Sequence, residues 1–144
     1  MQHMPTLAEV MTPFPYFVAE TTAIDDAIEL MQEKNCNHLP VIQETNVVGL
    51  LSIVDIKLAQ TPGHKVTEFT QLSVGDICRR RVYVVDVYTR LDEVLQTMAV
   101  QDVAAAVVLK GGRLAGIFTS HDACRAFSIW LQKTYLPGGD PSVA

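Results

Sequence analysis

The chain has 144 residues, of which 49% are hydrophobic and 19% charged, as is usual for one globular domain. Its net charge of −5 argues against nucleic-acid polymers and anionic membranes as partners, because these need a basic face. We find no apolar run of about 20 residues and no signal peptide. The three cysteines lack C-x-x-C spacing, so we expect a cytoplasmic protein with no metal site.

The first half of the chain follows the order strand, helix, strand, strand, helix. Residues 16–18 form a short β-prone run, and Thr22-x-x-Asp25 is typical of a helix start. Apolar residues then recur at the spacing of one helix face: these are Ile24, Ala27, Ile28 and Met31. Strand-like runs at 38–42 and 46–51 follow, and a helix is predicted over 53–60.

The second half repeats this order at a constant offset, so that 73–124 aligns with 6–57 without a gap. The predicted elements are a strand at 82–85, a helix beginning at Thr89-x-x-Asp92, strands at 105–109 and 113–118, and a helix at 120–135. Lys110-Gly111-Gly112 is typical of a hairpin turn. Gly49 and Gly116 lie inside the last strand of each copy, which predicts a close approach of backbone.

We therefore predict an α/β (α+β) fold. Two β-α-β-β-α repeats would pack sheet to sheet with pseudo-two-fold symmetry, because one copy of about 60 residues is marginally stable alone. The predicted boundaries are 1–60 for the first repeat with its N-terminal segment, 61–72 for a linker and 73–136 for the second repeat with its C-terminal helix. Residues 137–144 are predicted to be a disordered tail.

The net charge is divided unevenly between the copies. Residues 6–57 hold two basic and eight acidic residues, whereas residues 73–124 hold six of each. Three of the six basic residues form the run Arg79-Arg80-Arg81. Such a run is either a solvated face or a set of guanidinium groups suited to phosphate oxygens.

The last strand and helix of each copy carry the motif G-h-h-[ST]-x-x-D, where h is apolar, within 48–55 and 115–122. This repeated motif resembles the cystathionine-β-synthase (CBS) domain family, whose paired copies form a Bateman module. The resemblance covers about residues 6–127 and indicates a stand-alone tandem pair. Residues 10–12 resemble the family's leading segment, and 38–41 resemble the start of its second strand.

The resemblance implies a regulatory module that binds an adenosyl ligand. The ligands it implies are AMP, ADP or ATP, with S-adenosylmethionine or NAD as further options, and no cofactor is required. In the family the motif aspartate bonds ribose hydroxyls, which nominates Asp55 with Ser52 and Asp122 with Thr119. Both pairs also have the form of a helix capping box, and the two roles are compatible.

The resemblance assigns the remaining cleft residues copy by copy. The first copy would contribute Thr12, Pro13, Tyr16, Asn37, His38, Leu39 and Pro40, and the second Arg79, Arg80, Tyr83, Ala104, Ala105 and Ala106. Tyr16 and Tyr83 either stack on a base or only pack. Thr22 and Thr89 either touch the nucleoside or cap their helices.

The two clefts differ at the residue before the motif aspartate, where many family members are basic. The second copy has His121 there and the first has Val54. Together with the arginine run, this favours the cleft of Thr119 and Asp122 as the better nucleotide site.

The chain shows neither a phosphate-binding G-x-x-x-x-G-K-[ST] loop nor a G-x-S-x-G elbow, so we expect no catalytic residues and no enzyme. The helix 120–135, with Phe127 and Trp130, either packs inside the module or, as the resemblance implies, mediates a homodimer. The regulated effector would be a separate protein. The alternative is a degenerate CBS pair that acts as a dimeric protein-interaction scaffold without nucleotide.

Overall fold

The computed structural model describes residues 3–60 and 71–137, so most of the expected linker and of the expected tail lies outside the described residues. Both repeats contain the predicted helix, two strands and final helix in that order, and a short helix precedes each repeat. The elements are α1 (Leu7–Val10), β1 (Thr12–Pro13), α2 (Ile24–Lys34), β2 (His38–Gln43), β3 (Asn46–Ser52), α3 (Ile53–Ala59), α4 (Val74–Ile77), β4 (Val84–Asp86), α5 (Leu91–Gln101), β5 (Ala105–Lys110), β6 (Arg113–Thr119) and α6 (Ser120–Tyr135).

The strands form two sheets, which confirms the mixed α and β fold class. One sheet has four strands in the order β1-β6-β5-β4, and the other pairs β2 with β3. Strands β4 and β5 are parallel, and the other neighbours are antiparallel. Within the described residues no helix is long and apolar enough to cross a membrane.

The segment that leads into each repeat pairs with the sheet of the other repeat. In β1, Thr12 lies opposite Ile117 of β6. At the equivalent position of the second repeat, Arg79 forms a bridge with Leu50 of β3, with backbone hydrogen bonds of 2.9 and 3.0 Å in both directions. The two repeats are therefore joined by a reciprocal exchange of their leading segments.

The hydrophobic cores show the same exchange. Leu7 of α1 is fully buried in the cluster that contains Val94 and Phe118 of the second repeat. Val74 of α4, the equivalent position, is fully buried among Ile24 and other residues of the first repeat. Each repeat thus needs an apolar side chain from the other's leading segment to complete its core.

Glycine in the last strand of each repeat allows this exchange, as its position predicts. A Cβ atom on Gly49 would lie 2.9 Å from Cys78 Sγ and 3.0 Å from the Arg79 carbonyl oxygen. A Cβ atom on Gly116 would overlap the sulfur of Met11. Only a residue without a side chain lets the leading segments approach this closely.

Two local predictions are wrong. In the first repeat the β-prone run forms only an isolated bridge at Val18, and β4 of the second repeat begins at Val84. Helices α2 and α5 have Ala23 and Arg90 as N-caps, without a side-chain hydrogen bond. Thr22 instead accepts a hydrogen bond from the Ala19 amide at 3.0 Å, so its hydroxyl stabilises the preceding turn.

Candidate functional site

The two motif aspartates each form the capping box expected from their spacing. Asp122 Oδ2 accepts hydrogen bonds from the Thr119 amide at 2.9 Å and from the Thr119 hydroxyl at 3.1 Å. Asp55 Oδ2 accepts the equivalent bonds from Ser52, at 3.0 and 2.9 Å. Both aspartates are buried, at 8% and 2% exposure for Asp55 and Asp122, so their carboxylates need such partners.

The second oxygen of each carboxylate is not used by the cap. Asp122 Oδ1 accepts a hydrogen bond from the Thr12 hydroxyl at 3.0 Å and forms an ion pair with Arg125 Nη2 at 2.6 Å. Asp55 Oδ1 accepts from Arg79 Nε at 3.0 Å. Capping and ligand binding are therefore compatible, because they would use different oxygens of one carboxylate.

A cavity of about 630 Å³ opens beside Asp122, within the range of small-molecule sites. Its wall combines the first repeat's leading segment and α2–β2 turn with the second repeat's β6–α6 turn. The lining residues are Thr12, Pro15, Tyr16, Lys34, Asn35, Cys36, Asn37, His38, Ala104, Ile117, Thr119, Ser120, His121, Asp122 and Arg125.

The cavity combines residues that were assigned to separate copies from the sequence. Eight predicted residues line this cavity, namely Thr12, Tyr16, Asn37, His38, Ala104, Thr119, His121 and Asp122. The four from the first repeat lie with the motif of the second, because the leading segments are exchanged. A site built within one copy is not what the chain forms.

Several cavity residues were not predicted, and two of them are cationic. Arg125 lies one helical turn after Asp122, a spacing that brings two side chains of a helix together, and this spacing is visible in the sequence. Lys34 Nζ lies 5.2 Å from the centre of the Tyr16 ring, a cation–π contact. The others are Pro15, Asn35, Cys36, Ile117 and Ser120.

Both motif aspartates influence the pKa of His38. Burial lowers the pKa of its imidazole, while the charges of Asp55 and Asp122 act in the opposite direction and only partly offset the burial. Since a lowered pKa favours the neutral form, His38 presents an uncharged imidazole to the cavity at neutral pH.

Arg79 and Arg80 of the arginine run do not line the cavity at Asp122. Arg79 binds Asp55, as described above. Arg80 forms an ion pair with Glu20 at 3.0 Å and donates to the Gly75 carbonyl oxygen at 3.0 Å. The argument that this run supports the Thr119 and Asp122 cleft is therefore wrong, and Arg125 supplies the guanidinium there.

The other predicted site residues lie outside the cavity wall at Asp122. Leu39, Pro40, Ala105 and Ala106 are buried in strands, and Pro13 is paired opposite Gly116. Tyr83 packs against the second repeat's core, Thr89 is half-buried before α5, and Thr22 lines a separate cavity with Phe17 and Glu29.

Over 3–60 and 71–137, no group of three or more His, Cys, Asp or Glu side chains is arranged to hold a metal ion.

Comparison with known proteins places these features in a family. The model of the family described as "CBS domain" matches residues 7–61 and 74–129. A curated relative, the zinc metalloprotease MJ0392 of Methanocaldococcus jannaschii, is 31% identical over 121 residues, which is 84% of this chain and 32% of that protein. The chain thus spans about a third of the length of this relative.

Solved structures share the fold. The CBS domain pair of MJ0100, in complex with 5′-methylthioadenosine and S-adenosyl-L-methionine, is 23% identical with a TM-score of 0.77, covering 88% of this chain and 98% of that one. CBSX2 in complex with AMP is 29% identical with a TM-score of 0.68, covering 85% of this chain and 96% of that one. The two repeats, their motifs and the family match show that this chain belongs to the CBS domain family, as a tandem pair.

Proposed function

We propose that the chain is a regulatory module that binds an adenine nucleotide in the cavity beside Asp122. The observation that carries this proposal is the position of Asp122, which lines the cavity together with Thr12 and Arg125. Its Oδ1 contacts those two residues, while its Oδ2 holds the helix cap. A carboxylate oxygen in this position accepts hydrogen bonds from ribose hydroxyls. Binding of AMP by the related CBSX2 structure supports the same ligand class.

The base would lie in the part of the cavity formed mainly by the first repeat. Tyr16 is 51% exposed and its ring lies at the cavity wall, where it can stack on a purine. Asn37 and His38 offer polar groups for the purine edge, and Ala104 and Ile117 supply apolar surface.

The phosphates would be held by cations at the cavity. Arg125 and Lys34 both line it, and a guanidinium forms paired hydrogen bonds with phosphate oxygens. The Asp122 charge is already matched by Arg125, so Lys34 leaves the wall electropositive. This favours AMP, ADP or ATP over the positively charged sulfonium of S-adenosylmethionine.

The signal would be a change in how the repeats pack. Since both repeats form the cavity wall, a ligand that prefers one arrangement of them shifts the population toward it. We place this module in the cytoplasm, acting through a separate effector protein and without catalysis of its own.

The exposed apolar surface of α6 supports a homodimer. Phe127, Trp130 and Tyr135 are 61%, 41% and 69% exposed. The rings of Phe127 and Trp130 stack with their centres 6.1 Å apart, and Tyr135 meets Trp130 edge-on at 5.9 Å. Such a patch is characteristic of a protein interface, and a second copy of α6 would cover it.

Thermal unfolding with a ligand panel tests the proposed function. AMP, ADP and ATP at millimolar concentration should raise the melting temperature, because a ligand bound only by the folded state stabilises it. S-adenosylmethionine should have less effect, and GMP and inorganic phosphate serve as controls. No shift with any adenosyl ligand would contradict the proposal.

The same α6 surface favours a second candidate, a dimeric interaction scaffold that needs no nucleotide. This candidate predicts a dimer by sedimentation, dissociated by Trp130→Glu, together with an unchanged melting temperature across the ligand panel. A dimer whose melting temperature rises with AMP would contradict the scaffold and support the nucleotide module.

A further inference from the structure

We infer that Arg79 closes the second cleft, so that the chain binds one ligand and not two. The inference rests on the proposed function, since it uses the Asp122 cleft as the functional reference. Its basis is a difference between equivalent positions. Thr12 and Arg79 occupy the same position in the two repeats, and each donates from its leading segment to the Oδ1 atom of a motif aspartate.

The two donors differ in size and charge. The Thr12 hydroxyl reaches Asp122 with a short side chain, and a cavity of about 630 Å³ remains beside it. Arg79 places a three-carbon stem and a guanidinium at the equivalent position, with Nε 3.0 Å from Asp55 Oδ1. A guanidinium meets the second carboxylate oxygen in both clefts, since Arg125 contacts Asp122 Oδ1 at 2.6 Å. The clefts differ in that the guanidinium at Asp55 comes from the leading-segment position that Thr12 occupies beside the open cavity.

The backbone keeps Arg79 in this position. Its amide donates to the Leu50 carbonyl oxygen at 3.0 Å, and its carbonyl oxygen accepts from the Leu50 amide at 2.9 Å. The buried Asp55 carboxylate, at 8% exposure, would lose a charged partner if the guanidinium turned away, which is costly for a buried charge.

The rest of the equivalent cleft offers little to a phosphate. The positions that match Lys34, His38, His121 and Arg125 hold Gln101, Ala105, Val54 and Leu58. With Arg79 removed, the cleft at Asp55 would keep its carboxylate but lose its guanidinium. It would accordingly suit an uncharged nucleoside, and adenosine is the appropriate probe.

Reciprocal exchange of the two residues tests the inference by calorimetric titration with adenosine. The wild-type chain should bind one adenosine per chain, Arg79→Thr should bind two, and Thr12→Arg should bind none. Arg81→Thr is the matched control, since it removes the same charge from the same run and should keep one site. Adding Asp55→Asn to Arg79→Thr should return the stoichiometry to one.

Other outcomes separate the inference from the proposed function. Two sites in the wild-type chain, or a single site that Arg79→Thr weakens, would overturn the inference, because Arg79 would then not block a ligand. A wild-type chain that binds no adenosine or AMP while Arg79→Thr gains one Asp55-dependent site would support the inference and contradict the Asp122 site. Binding by neither chain would overturn both. Thermal melts identify a variant that fails to fold, and Arg79→Gln then replaces Arg79→Thr.

Discussion

The two clefts of this chain share one motif but differ in almost every residue around it. At the Asp122 cleft, Thr12 and Arg125 meet the carboxylate, and Lys34 and His38 line the cavity. The equivalent positions of the Asp55 cleft hold, in the same order, Arg79, Leu58, Gln101 and Ala105. The capping box is common to both and stabilises the helix in each, so the box alone does not distinguish a binding cleft. The surrounding side chains distinguish the two clefts, and three of them at the Asp122 cleft, Thr12, Lys34 and His38, come from the other repeat.

The exchange of leading segments allows each cleft to differ through residues of the opposite repeat. Each cleft takes its motif from one repeat and part of its wall from the other. A change in one leading segment therefore alters the cleft of the opposite repeat, as Arg79 of the second repeat does at Asp55.

The largest effect is expected from removing the exchanged apolar anchor. Leu7→Ala should lower the free energy of unfolding by about 2–5 kcal/mol, as for other fully buried leucines. Because Leu7 packs in the second repeat's core, hydrogen exchange should accelerate in β5 and β6 more than in β2 and β3. Urea unfolding and amide exchange measure the two quantities.

Val74→Ala is the matched control for this change. It should accelerate exchange in β2 and β3 instead, with a smaller loss of stability because fewer side-chain carbon atoms are removed. If Leu7→Ala loosened only the first repeat, the exchange of leading segments would be contradicted.

A medium effect is expected from the cation of the Asp122 cleft. Arg125→Gln should weaken AMP binding by about tenfold, since a charge-assisted hydrogen bond contributes about 1.5–3 kcal/mol and Arg125 is partly exposed. Adenosine, which has no phosphate, should lose less affinity than AMP. Calorimetric titrations with both ligands measure this difference.

Arg113→Gln provides the control, because it removes the same charge at the start of β6. Equal weakening of AMP binding by both variants would indicate a general charge effect. Arg125 would then have no role as a phosphate contact.

The smallest effect concerns pH. Burial lowers the pKa of His38 in the folded chain below the value of 6.5 that it has without burial, so the unfolded chain binds more protons in this range. Stability should therefore fall as pH drops below about 6.5. His38→Gln should remove part of that fall, as urea unfolding at pH 7.5 and 5.5 would measure. The exposed His121→Gln is the control, and equal slopes for His38→Gln and wild type would contradict the assignment.

Most of the fold could be predicted from the sequence because its signals are local. The constant offset between the copies, the helical spacing of apolar residues and the two glycines in β3 and β6 can each be recognised along the chain. The cap positions of α2 and α5 could not, because Thr22 has an alternative partner in the preceding turn. The predicted strand at 16–18 forms only an isolated bridge, because β-propensity alone does not provide a partner strand to pair with.

The site was predicted less completely because its wall is not local. The motif aspartates and eight cavity residues follow from the repeat and the family resemblance. Which leading segment faces which motif depends on the exchange, which is seen in the pairing of Thr12 and Arg79 and in the packing of Leu7 and Val74. Arg125 lies just beyond the aligned repeat, so comparing residues 6–57 with 73–124 did not include it, although its spacing from Asp122 was visible.

Calorimetric titration of AMP into Asp122→Asn and Asp55→Asn variants tests most directly whether the cavity at Asp122 is the nucleotide site. We expect wild type and Asp55→Asn to bind AMP with similar affinity. Asp122→Asn should bind at least tenfold more weakly, because it loses a carboxylate acceptor worth about 1.5–3 kcal/mol. Unchanged binding by Asp122→Asn together with loss in Asp55→Asn would contradict the account.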